Sequence, residues 1–438
     1  MVNTPLGWAA RNGQEEVVKM LLARDGIDLN KGDQEGRTPL WRAAFNGHQG
    51  VVEMLLGRSG IDPNKPDLYG RTPLWVAVSD GYEGVVKMLL ERNDIDPNKR
   101  DKEDRTPLWW ASHNGDLGIV KILLGRGDTD PNREDNYFRS PLGIAASIGH
   151  EEVVKMLLGQ DDIDPNLDDQ DCRTPLWRAA SNGHEGLVKI LLGHDKTDPE
   201  KPARHGGTPL RIAASRGHEG VVKLLLERDD VNPNKPDEHN NTPLWWAAYS
   251  GHEGVVKALL GRDDISTNTP SDYYQPLQWA AYNGHEGVVK LLLEQDGVNP
   301  GEPGGVGKIS LWRAAQYGNH QLVKILLRQN ISPDSLDEYG RTPLSMAAEN
   351  GHEEVVKLLL GRGDVNPDKP DKDEQRPLWW AARNGHEEVV RLLLEQEEVS
   401  PNKPNRYGRT PLSIAVRHGY GRVIALLQPP IDAAYSTT

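Results

Sequence analysis

Apolar and polar positions follow one another along the chain with the spacing of short amphipathic helices. Leu40, Ala43 and Ala44 stand at positions i, i+3 and i+4, which lie on one face of a helix. Gly47 then marks the end of this helix, and a second apolar group begins beyond it. That group forms a broad helical face and consists of Val51, Val52, Met54, Leu55 and Leu56. The pattern predicts two short helices, termed helix A and helix B.

The dipeptide Pro-Leu marks the start of each predicted helix A. Thr38 offers an N-cap hydroxyl, and Pro39 occupies the first helical position, where a missing N–H group costs nothing. The dipeptide recurs every 34 residues through the eighth unit, and the interval afterwards shortens by one residue twice. Ser310 replaces the proline in the tenth unit. The thirteen units start at Pro5, Pro39, Pro73, Pro107, Pro141, Pro175, Pro209, Pro243, Pro276, Ser310, Pro343, Pro377 and Pro411.

Units of this length favour a stacked architecture. One 34-residue helix pair buries too little apolar surface to fold alone, whereas neighbouring copies share a continuous core. We therefore expect a single all-α solenoid over residues 1–430, followed by a short C-terminal tail at residues 431–438.

The sequence motifs of the units are similar to those of a known repeat. Residues 36–40 read Gly-Arg-Thr-Pro-Leu, residues 46–48 read Asn-Gly-His, and helix B carries Val-Val before a run of leucines. These motifs resemble the ankyrin repeat, and their details are similar to those of long fungal ankyrin arrays. The resemblance implies an ankyrin-type solenoid of about thirteen helix-turn-helix repeats, in a family known mainly for binding other molecules.

Two features depart from the ankyrin pattern. The histidine that the family carries after Thr-Pro-Leu is absent from every unit, so we do not expect the hydrogen bonds that this histidine usually makes. The loop after helix B holds one residue more than the family's usual spacing of about 33. From this longer loop we expect a slightly different stacking geometry.

All twelve tryptophans fall at the two positions that directly follow Pro-Leu or its Ser310-Leu311 counterpart. Helical spacing places both positions beside a variable, and therefore solvated, part of helix A. We expect the first position to be the more exposed, and the alternative interpretation of the second position is a core indole between neighbouring helices. The tryptophans are Trp8, Trp41, Trp75, Trp109, Trp110, Trp177, Trp245, Trp246, Trp279, Trp312, Trp379 and Trp380.

A second pattern recurs every four units, where Leu-Trp-Arg-Ala units alternate with units that carry adjacent tryptophans. We predict that these residues bind a partner, because Trp and Arg anchor interfaces and an arginine stacked on an indole offers donors to a carboxylate or phosphate. The alternatives are duplication of a four-unit block and arginine stems that cover apolar surface. The predicted binding residues are Trp41, Arg42, Trp109, Trp110, Trp177, Arg178, Trp245, Trp246, Trp312, Arg313, Trp379 and Trp380.

Composition argues against several classes of function. The 51 lysines and arginines against 65 aspartates and glutamates give a net charge of −14, the wrong sign for binding nucleic acid. The single cysteine, Cys172, cannot form an internal disulfide. The apolar runs are shorter than the ~20 residues that span a bilayer, and the N-terminus lacks a signal-peptide pattern. We therefore expect an intracellular protein, cytoplasmic or nuclear, with neither membrane nor nucleic acid as a partner.

The motifs that resemble catalytic or metal sites are incomplete. Residues 301–310 resemble a phosphate-binding loop, but Glu302 replaces the first required glycine and Ile309 follows the lysine. Histidines recur just after the inter-helix glycine of most units, whereas an active site needs one unusual constellation. The aspartate-rich turns lack the glycine and distal glutamate of a calcium loop. We expect no catalytic residue, no metal and no cofactor.

These observations lead to one main functional hypothesis. The chain is a non-catalytic scaffold that binds a protein or peptide through a groove lined by tryptophan and arginine. The alternatives are a small-molecule or catalytic site in the same groove, and a sensor array that belongs to a larger signalling protein. An uncapped first unit also predicts self-association through the N-terminal edge.

Overall fold

The computed structural model describes residues 4–267, 275–295, 306–328 and 331–428, with side chains from residue 311 onward in the third range. Within these ranges the chain forms 26 α-helices, a short 3-10 turn at Arg204–Gly206 and no strand. The α-helices form successive A and B pairs, which confirms the predicted all-α, ankyrin-type solenoid of about thirteen repeats. None of these helices is long and apolar enough to cross a membrane.

The chain divides into two compact units. The first comprises residues 1–213 and 218–232, and the second comprises residues 214–217 and 233–438. Both contain the same alternation of helices A and B. The single domain predicted over residues 1–430 stays a prediction.

Three of the segments singled out in the sequence lie outside the described residues. They are the N-terminal edge at residues 1–3, the glycine-rich segment at residues 301–305 and the tail at residues 431–438. Self-association through the N-terminal edge accordingly stays a prediction.

The first unit contains seven helix pairs, the last three residues of α13 being assigned to the second unit. Their bounds are α1 (Pro5–Arg11), α2 (Glu15–Leu22), α3 (Pro39–Phe45), α4 (Gln49–Leu56), α5 (Pro73–Ser79), α6 (Glu83–Leu90), α7 (Pro107–Asn114), α8 (Leu117–Leu124), α9 (Pro141–Ile148), α10 (Glu151–Leu158), α11 (Pro175–Asn182), α12 (Glu185–Leu192), α13 (Pro209–Arg216) and α14 (Glu219–Leu226). The helices of the second unit are α15 (Pro243–Ser250), α16 (Glu253–Leu260), α17 (Pro276–Tyr282), α18 (Glu286–Leu293), α19 (Val306–Gln316), α20 (His320–Leu327), α21 (Pro343–Asn350), α22 (Glu353–Leu360), α23 (Pro377–Asn384), α24 (Glu387–Leu394), α25 (Pro411–His418) and α26 (Gly421–Leu427).

Helix A in the second repeat shows how the local sequence sets the helix ends. The Oγ1 atom of Thr38 accepts a hydrogen bond from the main-chain N–H of Trp41 at 3.1 Å, and Pro39 follows the cap. Beyond the helix, Gly47 has a φ of 71°, in the left-handed region that glycine adopts without strain. The Thr-Pro-Leu start and the glycine end are thus the local causes of a two-turn helix.

Within each unit, A helices pack on neighbouring A helices and B helices pack on neighbouring B helices. The apolar stripe of Leu40, Ala43 and Ala44 is completely buried, as are Val51 and Val52 of the following helix B. Complete burial of one such valine or leucine contributes about 1.5–3 kcal/mol. The repeated stripes are therefore the continuous core that the sequence predicts.

The histidine that precedes most B helices connects its repeat to the preceding one. The Nε2 atom of His48 lies 3.0 Å from the carbonyl oxygen of Arg11, at the end of the preceding helix A. Its ring also covers Gly13, where an added Cβ would lie 2.7 Å from Nδ1 of His48. The same contact with a main-chain carbonyl recurs at His150, His218, His252, His285, His352 and His386. Packing between repeats therefore accounts for the recurrence of these histidines.

An asparagine ladder connects the loops that follow the B helices. The Nδ2 atom of Asn64 donates to the carbonyl oxygen of Asp94 at 2.5 Å, and its Oδ1 accepts from the N–H of Asp96 at 2.9 Å. The same two bonds are made by Asn30, Asn98, Asn132, Asn166 and Asn234. Each asparagine thus satisfies two main-chain groups of the next loop, which explains the recurring Asp-Pro-Asn sequence.

Candidate functional site

The tryptophans at the first position after Pro-Leu are mostly buried. Their exposed fractions lie between 3% and 8% at Trp41, Trp75, Trp109, Trp177, Trp245 and Trp379, while Trp312 is half-buried. The prediction that the first position is the more exposed is therefore wrong. At the second position Trp110, Trp246 and Trp279 are half-buried, Trp380 is buried, and Trp8 is half exposed.

The burial of the first indole has a specific cause in the repeat stack. The Nε1 atom of Trp41 donates a hydrogen bond to the carbonyl oxygen of Arg71 at 3.0 Å, in the turn of the next repeat. The same bond joins Trp109 to the carbonyl of Arg139 at 3.1 Å, and it recurs at Trp177. The turn of the following repeat therefore covers the ring, and the indole N–H supplies a bond between repeats.

The second position after Pro-Leu carries a donor for an aspartate in the turn of the same repeat. Arg42 is ion-paired with Asp33 at 2.5 Å between NH2 and Oδ2, and the guanidinium of Arg178 pairs with Asp169 in the same way. In two of the three repeats with adjacent tryptophans, the second tryptophan takes the place of this arginine and its Nε1 donates to the equivalent carboxylate, whereas Nε1 of Trp110 has no partner among the described residues. These pairs are Trp246 with Asp237 at 2.8 Å and Trp380 with Asp371 at 3.1 Å.

This shared role accounts for four of the six Trp-Arg and Trp-Trp units, namely those of Arg42, Arg178, Trp246 and Trp380. An arginine and a tryptophan both reach the aspartate nine residues earlier with an N–H donor. Arg42 is only 4% exposed, and its donors point at Asp33 rather than into solvent. The prediction that Arg42 offers its donors to a ligand is therefore wrong. Arg313, by contrast, stacks over the Trp312 ring at 4.4 Å, as predicted for such pairs.

The electrostatics of the turn aspartates depend on which donor they receive. Burial acts to raise the pKa of Asp33, but hydrogen bonds from Arg42 and Arg37 outweigh it and lower the pKa to about 2. The pKa of Asp371 is raised by burial, which its hydrogen bonds from Gln375 and Trp380 offset only in part. The charged donor Arg42 thus holds the carboxylate of Asp33 ionised, whereas the neutral indole of Trp380 does not compensate for the burial of Asp371.

A further arginine, the one before Thr-Pro-Leu, was not among the predicted binding residues. The guanidinium of Arg71 lies 5.6 Å from the ring centroid of Trp41 and 5.7 Å from that of Trp75, so it sits between the indoles of two repeats. It is also ion-paired with Asp67 at 2.7 Å. The recurring Arg-Thr-Pro-Leu motif is the sequence feature that could have indicated this role. Equivalent contacts are made by Arg37, Arg105, Arg139 and Arg173.

Aromatic side chains of three successive repeats form one surface in the second unit. We call Trp245, Trp246, Tyr249, Trp279, Tyr282 and Tyr317 the aromatic row. Tyr249 contacts Trp279 at 5.1 Å between ring centroids, Trp279 contacts Tyr282 at 5.2 Å, and Tyr282 contacts Tyr317 at 5.2 Å, all edge to face. The exposed fractions of the three tyrosines are 38%, 41% and 51% in chain order. The row therefore offers contiguous ring edges and hydroxyls to solvent.

Polar contacts order the end of the aromatic row. The hydroxyl of Tyr317 donates to that of Tyr282 at 3.3 Å, and this bond, together with burial, raises the pKa of Tyr317. The guanidinium of Arg313 lies 5.6 Å from the Tyr282 ring centroid. This surface therefore combines π faces with hydroxyl groups and one cation.

A smaller aromatic cluster occupies the first unit. Trp110 contacts Trp75 at 5.2 Å and Trp109 at 5.4 Å, and the guanidinium of Arg105 lies 4.7 Å from the Trp110 ring centroid. His113 stacks on Trp109 at 5.3 Å, and burial followed by the nearby positive charge of Arg139 lowers its pKa. The cluster therefore carries a neutral imidazole near pH 7.

Metal chemistry finds no support in the part of the chain that the structure describes. No group of three or more His, Cys, Asp or Glu side chains there is placed to hold a metal ion. Cys172 is exposed and adopts a φ of 59° in the turn position that is glycine in repeats such as those of Gly36, Gly70 and Gly340. The described histidines and aspartates instead bond to main-chain and arginine groups of the repeats.

Comparison with known families agrees with this architecture. A family model for ankyrin repeats (3 copies) matches overlapping segments over nearly the whole chain, at residues 2–67, 59–135, 108–203, 142–237, 195–270, 230–304, 277–371 and 363–435. No curated protein matches the chain. The capped helix A, the inter-helix glycine and the stacked B helices account for the match. The chain therefore belongs to the ankyrin-repeat family.

Proposed function

We propose that the chain is a non-catalytic scaffold whose partner, a protein or peptide, contacts the aromatic row. Ankyrin-repeat proteins are generally protein-interaction scaffolds. The observation that carries the proposal is the succession of Tyr249, Tyr282 and Tyr317, each more than a third exposed, in three consecutive repeats. Tyrosine supplies a large contact area at a low cost in side-chain entropy and is enriched at interfaces.

The packing of the aromatic row supports a preorganised surface. Each exposed tyrosine packs against a neighbouring ring. Tyr249, for example, stacks on Trp245 with 5.2 Å between the ring centroids and an interplanar angle of 5°. Trp245 is itself buried, so the exposed ring rests on the core. Because these side chains are already ordered, a partner loses little side-chain entropy when it immobilises them.

The predicted binding residues take two roles in this proposal. The half-buried residues at the edge of the A helices, Trp110, Trp246, Trp312 and Arg313, contact the partner directly. The buried indoles hold the contacting side chains in place and are Trp41, Trp109, Trp177, Trp245 and Trp379, with the buried Trp380 and the paired Arg42 and Arg178 beside them. The proposal therefore assigns direct contact with the partner to the second position after Pro-Leu and to the tyrosines, rather than to the indole at the first position.

Asp33 and Asp371, two turn aspartates with shifted pKa values, are hydrogen-bonded within the fold. A small-molecule or catalytic site in the groove would be favoured by a shifted group that faces open space. Asp33 instead pairs with Arg42, and Asp371 accepts a hydrogen bond from Trp380, both within one repeat. We therefore propose no active site at these aspartates.

The test compares two triple variants in a pull-down from native extract. The first replaces Tyr249, Tyr282 and Tyr317 by alanine. The control replaces Tyr69, Tyr339 and Tyr407 by alanine, three tyrosines that are more than half exposed in the turns between repeats. Both variants lose the same number of aromatic rings, so they differ only in the surface that is removed.

We expect a protein that the wild type and the control variant retain and that the aromatic-row variant loses. The affinity of that protein, measured with purified components by calorimetry, should fall at least about tenfold, which corresponds to about 1.4 kcal/mol. Circular dichroism of both variants must match that of the wild type. Equal retention by the two variants would contradict the aromatic row as the binding surface.

A further inference from the structure

The fifth repeat has a cavity where its neighbours have an indole. Gly143 stands at the first position after Pro-Leu, which carries tryptophan in the second, third, fourth and sixth repeats. Beside it lies a cavity of about 60 Å³, bordered by Phe138, Arg139, Ser147 and Arg173 among others. The volume is several times the about 10–15 Å³ that one water molecule needs. We propose that this cavity is an indole slot that accepts the tryptophan side chain of a partner polypeptide.

The occupied slot in the fourth repeat shows what such a ring contacts. The indole of Trp109 lies between two guanidinium groups, with Arg105 at 5.9 Å and Arg139 at 5.2 Å from its ring centroid. His113, four residues on, stacks against its face at 5.3 Å. Its Nε1 donates to the carbonyl oxygen of Arg139 at 3.1 Å. An indole in this slot is thus held by cations, by a helix residue and by one hydrogen bond.

The same groups surround the cavity of the fifth repeat, each 34 residues further along the chain. Arg139 and Arg173 take the places of the two flanking guanidinium groups, and Ser147 takes the place of His113. A Cβ built on Gly143 meets one atom within 4 Å, the Oγ of Ser140, at 3.3 Å. Both flanking guanidinium groups are therefore present, whereas the ring itself is missing and the small Ser147 replaces the residue that would stack on it.

The hydrogen-bond acceptor of the slot is also in place. In the third repeat the carbonyl oxygen of Arg71 accepts two bonds, from the N–H of Asp67 and from Nε1 of Trp41 in the second repeat, each at 3.0 Å. In the sixth repeat the corresponding carbonyl of Arg173 accepts from the N–H of Asp169 at 3.2 Å. By analogy with Arg71, this carbonyl has a second lone pair for an indole N–H donor from outside.

The charges around the slot favour a neutral aromatic ring over an anion. Arg139 is ion-paired with Asp135 at 2.6 Å, Arg173 with Asp171 at 3.2 Å, and Arg178 with Asp169. Because each guanidinium already has a carboxylate partner, the slot offers cationic faces without a net excess of unpaired charge. A π system uses these faces while the ion pairs stay intact.

The rim of the slot can admit a ring from solvent. Phe138 is 56% exposed, and the side chains of Arg139 and Arg173 are each 34% exposed. Entry of an indole requires these rim side chains to move outward, because the cavity is smaller than the ring. Such side-chain rotations are common when interfaces form.

The experiment monitors ¹⁹F NMR of the tripeptide acetyl-Gly-(5-fluoro-Trp)-Gly-amide during titration with the intact protein. Four proteins are compared: wild type, Gly143→Trp, Arg173→Gln and the matched control Arg105→Gln. Gly143→Trp fills the slot with the chain's own indole, and Arg173→Gln removes one flanking cation. Arg105→Gln removes one of the two cations that flank the occupied slot of Trp109, the one that does not border the cavity. Circular dichroism verifies folding, and Arg173→Gln carries the test if Gly143→Trp does not fold.

We expect the wild type and Arg105→Gln to broaden and shift the ¹⁹F resonance equally. Gly143→Trp should abolish this effect, and Arg173→Gln should weaken binding about threefold or more. No broadening by the wild type, or the same broadening by Gly143→Trp, would overturn the slot. Binding of free 5-fluoroindole without binding of the tripeptide would overturn the polypeptide source in favour of a small aromatic molecule. The slot lies in the first unit and the aromatic row in the second, so failure of one test does not decide the other.

Discussion

Replacement of Trp41 by phenylalanine tests whether the indole N–H holds neighbouring repeats together. Trp41 is buried, donates to the carbonyl of Arg71 at 3.0 Å and stacks on Phe45 at 5.1 Å. Phenylalanine keeps part of the stacking but has no donor. The lost hydrogen bond contributes about 0.5–1.5 kcal/mol, and the lost ring volume about 1 kcal/mol more. We therefore expect the free energy of unfolding to fall by about 2 kcal/mol.

Trp75 is the matched control for this substitution. It is buried at the same position of the next repeat, but its Nε1 has no hydrogen-bond partner among the described residues. Trp75→Phe loses a similar ring volume and at the same time removes a buried donor, whose missing solvation costs about 1–3 kcal/mol. We expect Trp75→Phe to be less destabilising than Trp41→Phe by about 1 kcal/mol or more.

Hydrogen exchange followed by mass spectrometry is the assay, because it resolves individual repeats. A single melting curve averages over a repeat array that does not unfold in one step. In Trp41→Phe the amides of residues 39–79 should exchange faster by a factor of about 30, the factor that corresponds to 2 kcal/mol. A Trp75→Phe variant that exchanges as fast as Trp41→Phe, or faster, would refute the role assigned to the N–H group.

Two further predictions concern the turns and loops. Trp380→Arg should lower the pKa of Asp371, now raised by burial, because a guanidinium replaces the neutral donor. A carboxyl whose pKa is raised in the folded state binds its proton more tightly there than in the unfolded chain, so Asp371 stabilises the wild type as the pH falls. In the variant the pKa is depressed, and this group should instead cost stability as the pH falls from about 5 to about 3. Melting temperatures of both proteins across that range measure the difference. Asn64→Ala removes two hydrogen bonds to the next loop and should cost about 1–2 kcal/mol, with faster exchange of the Asp96 amide and no such effect from Lys99→Ala.

The repeat architecture was predictable because its local signals are strong and recur. Thr38 specifies a helix start because its side-chain Oγ1 accepts a hydrogen bond from the N–H of Trp41, Pro39 suits the first helical position, and Gly47 specifies the end by its positive φ. These signals depend on residues within one turn of each other. Each unit therefore predicts its own helices, and the 34-residue interval predicts the stack.

The exposure of the tryptophans was not predictable in the same way. Helical spacing gives the angle of Trp41 on helix A, but its burial depends on the turn of the next repeat, which reaches over the ring to accept the N–H. That turn lies 30 residues further along the chain. The pairing of Arg42 with Asp33 had a weaker but readable signal, since an aspartate stands nine residues before the arginine and before Trp246 alike.

The contacts divide the positions of helix A into those that the stack requires and those that it leaves free. In the second repeat, for example, Trp41 bonds to the next repeat and Arg42 pairs with an aspartate of its own turn, so this repeat requires a donor at each of the two positions. The residue four places after the first position has no such requirement, and it is Phe45, His113, Ser147, Tyr249 or Arg383 in different repeats. A scaffold can distinguish its partners through the residue at such a position, because packing does not restrict its identity. We therefore expect the selectivity for a partner to depend on this variable position and on the empty slot at Gly143. The number of tryptophans follows instead from the packing between repeats.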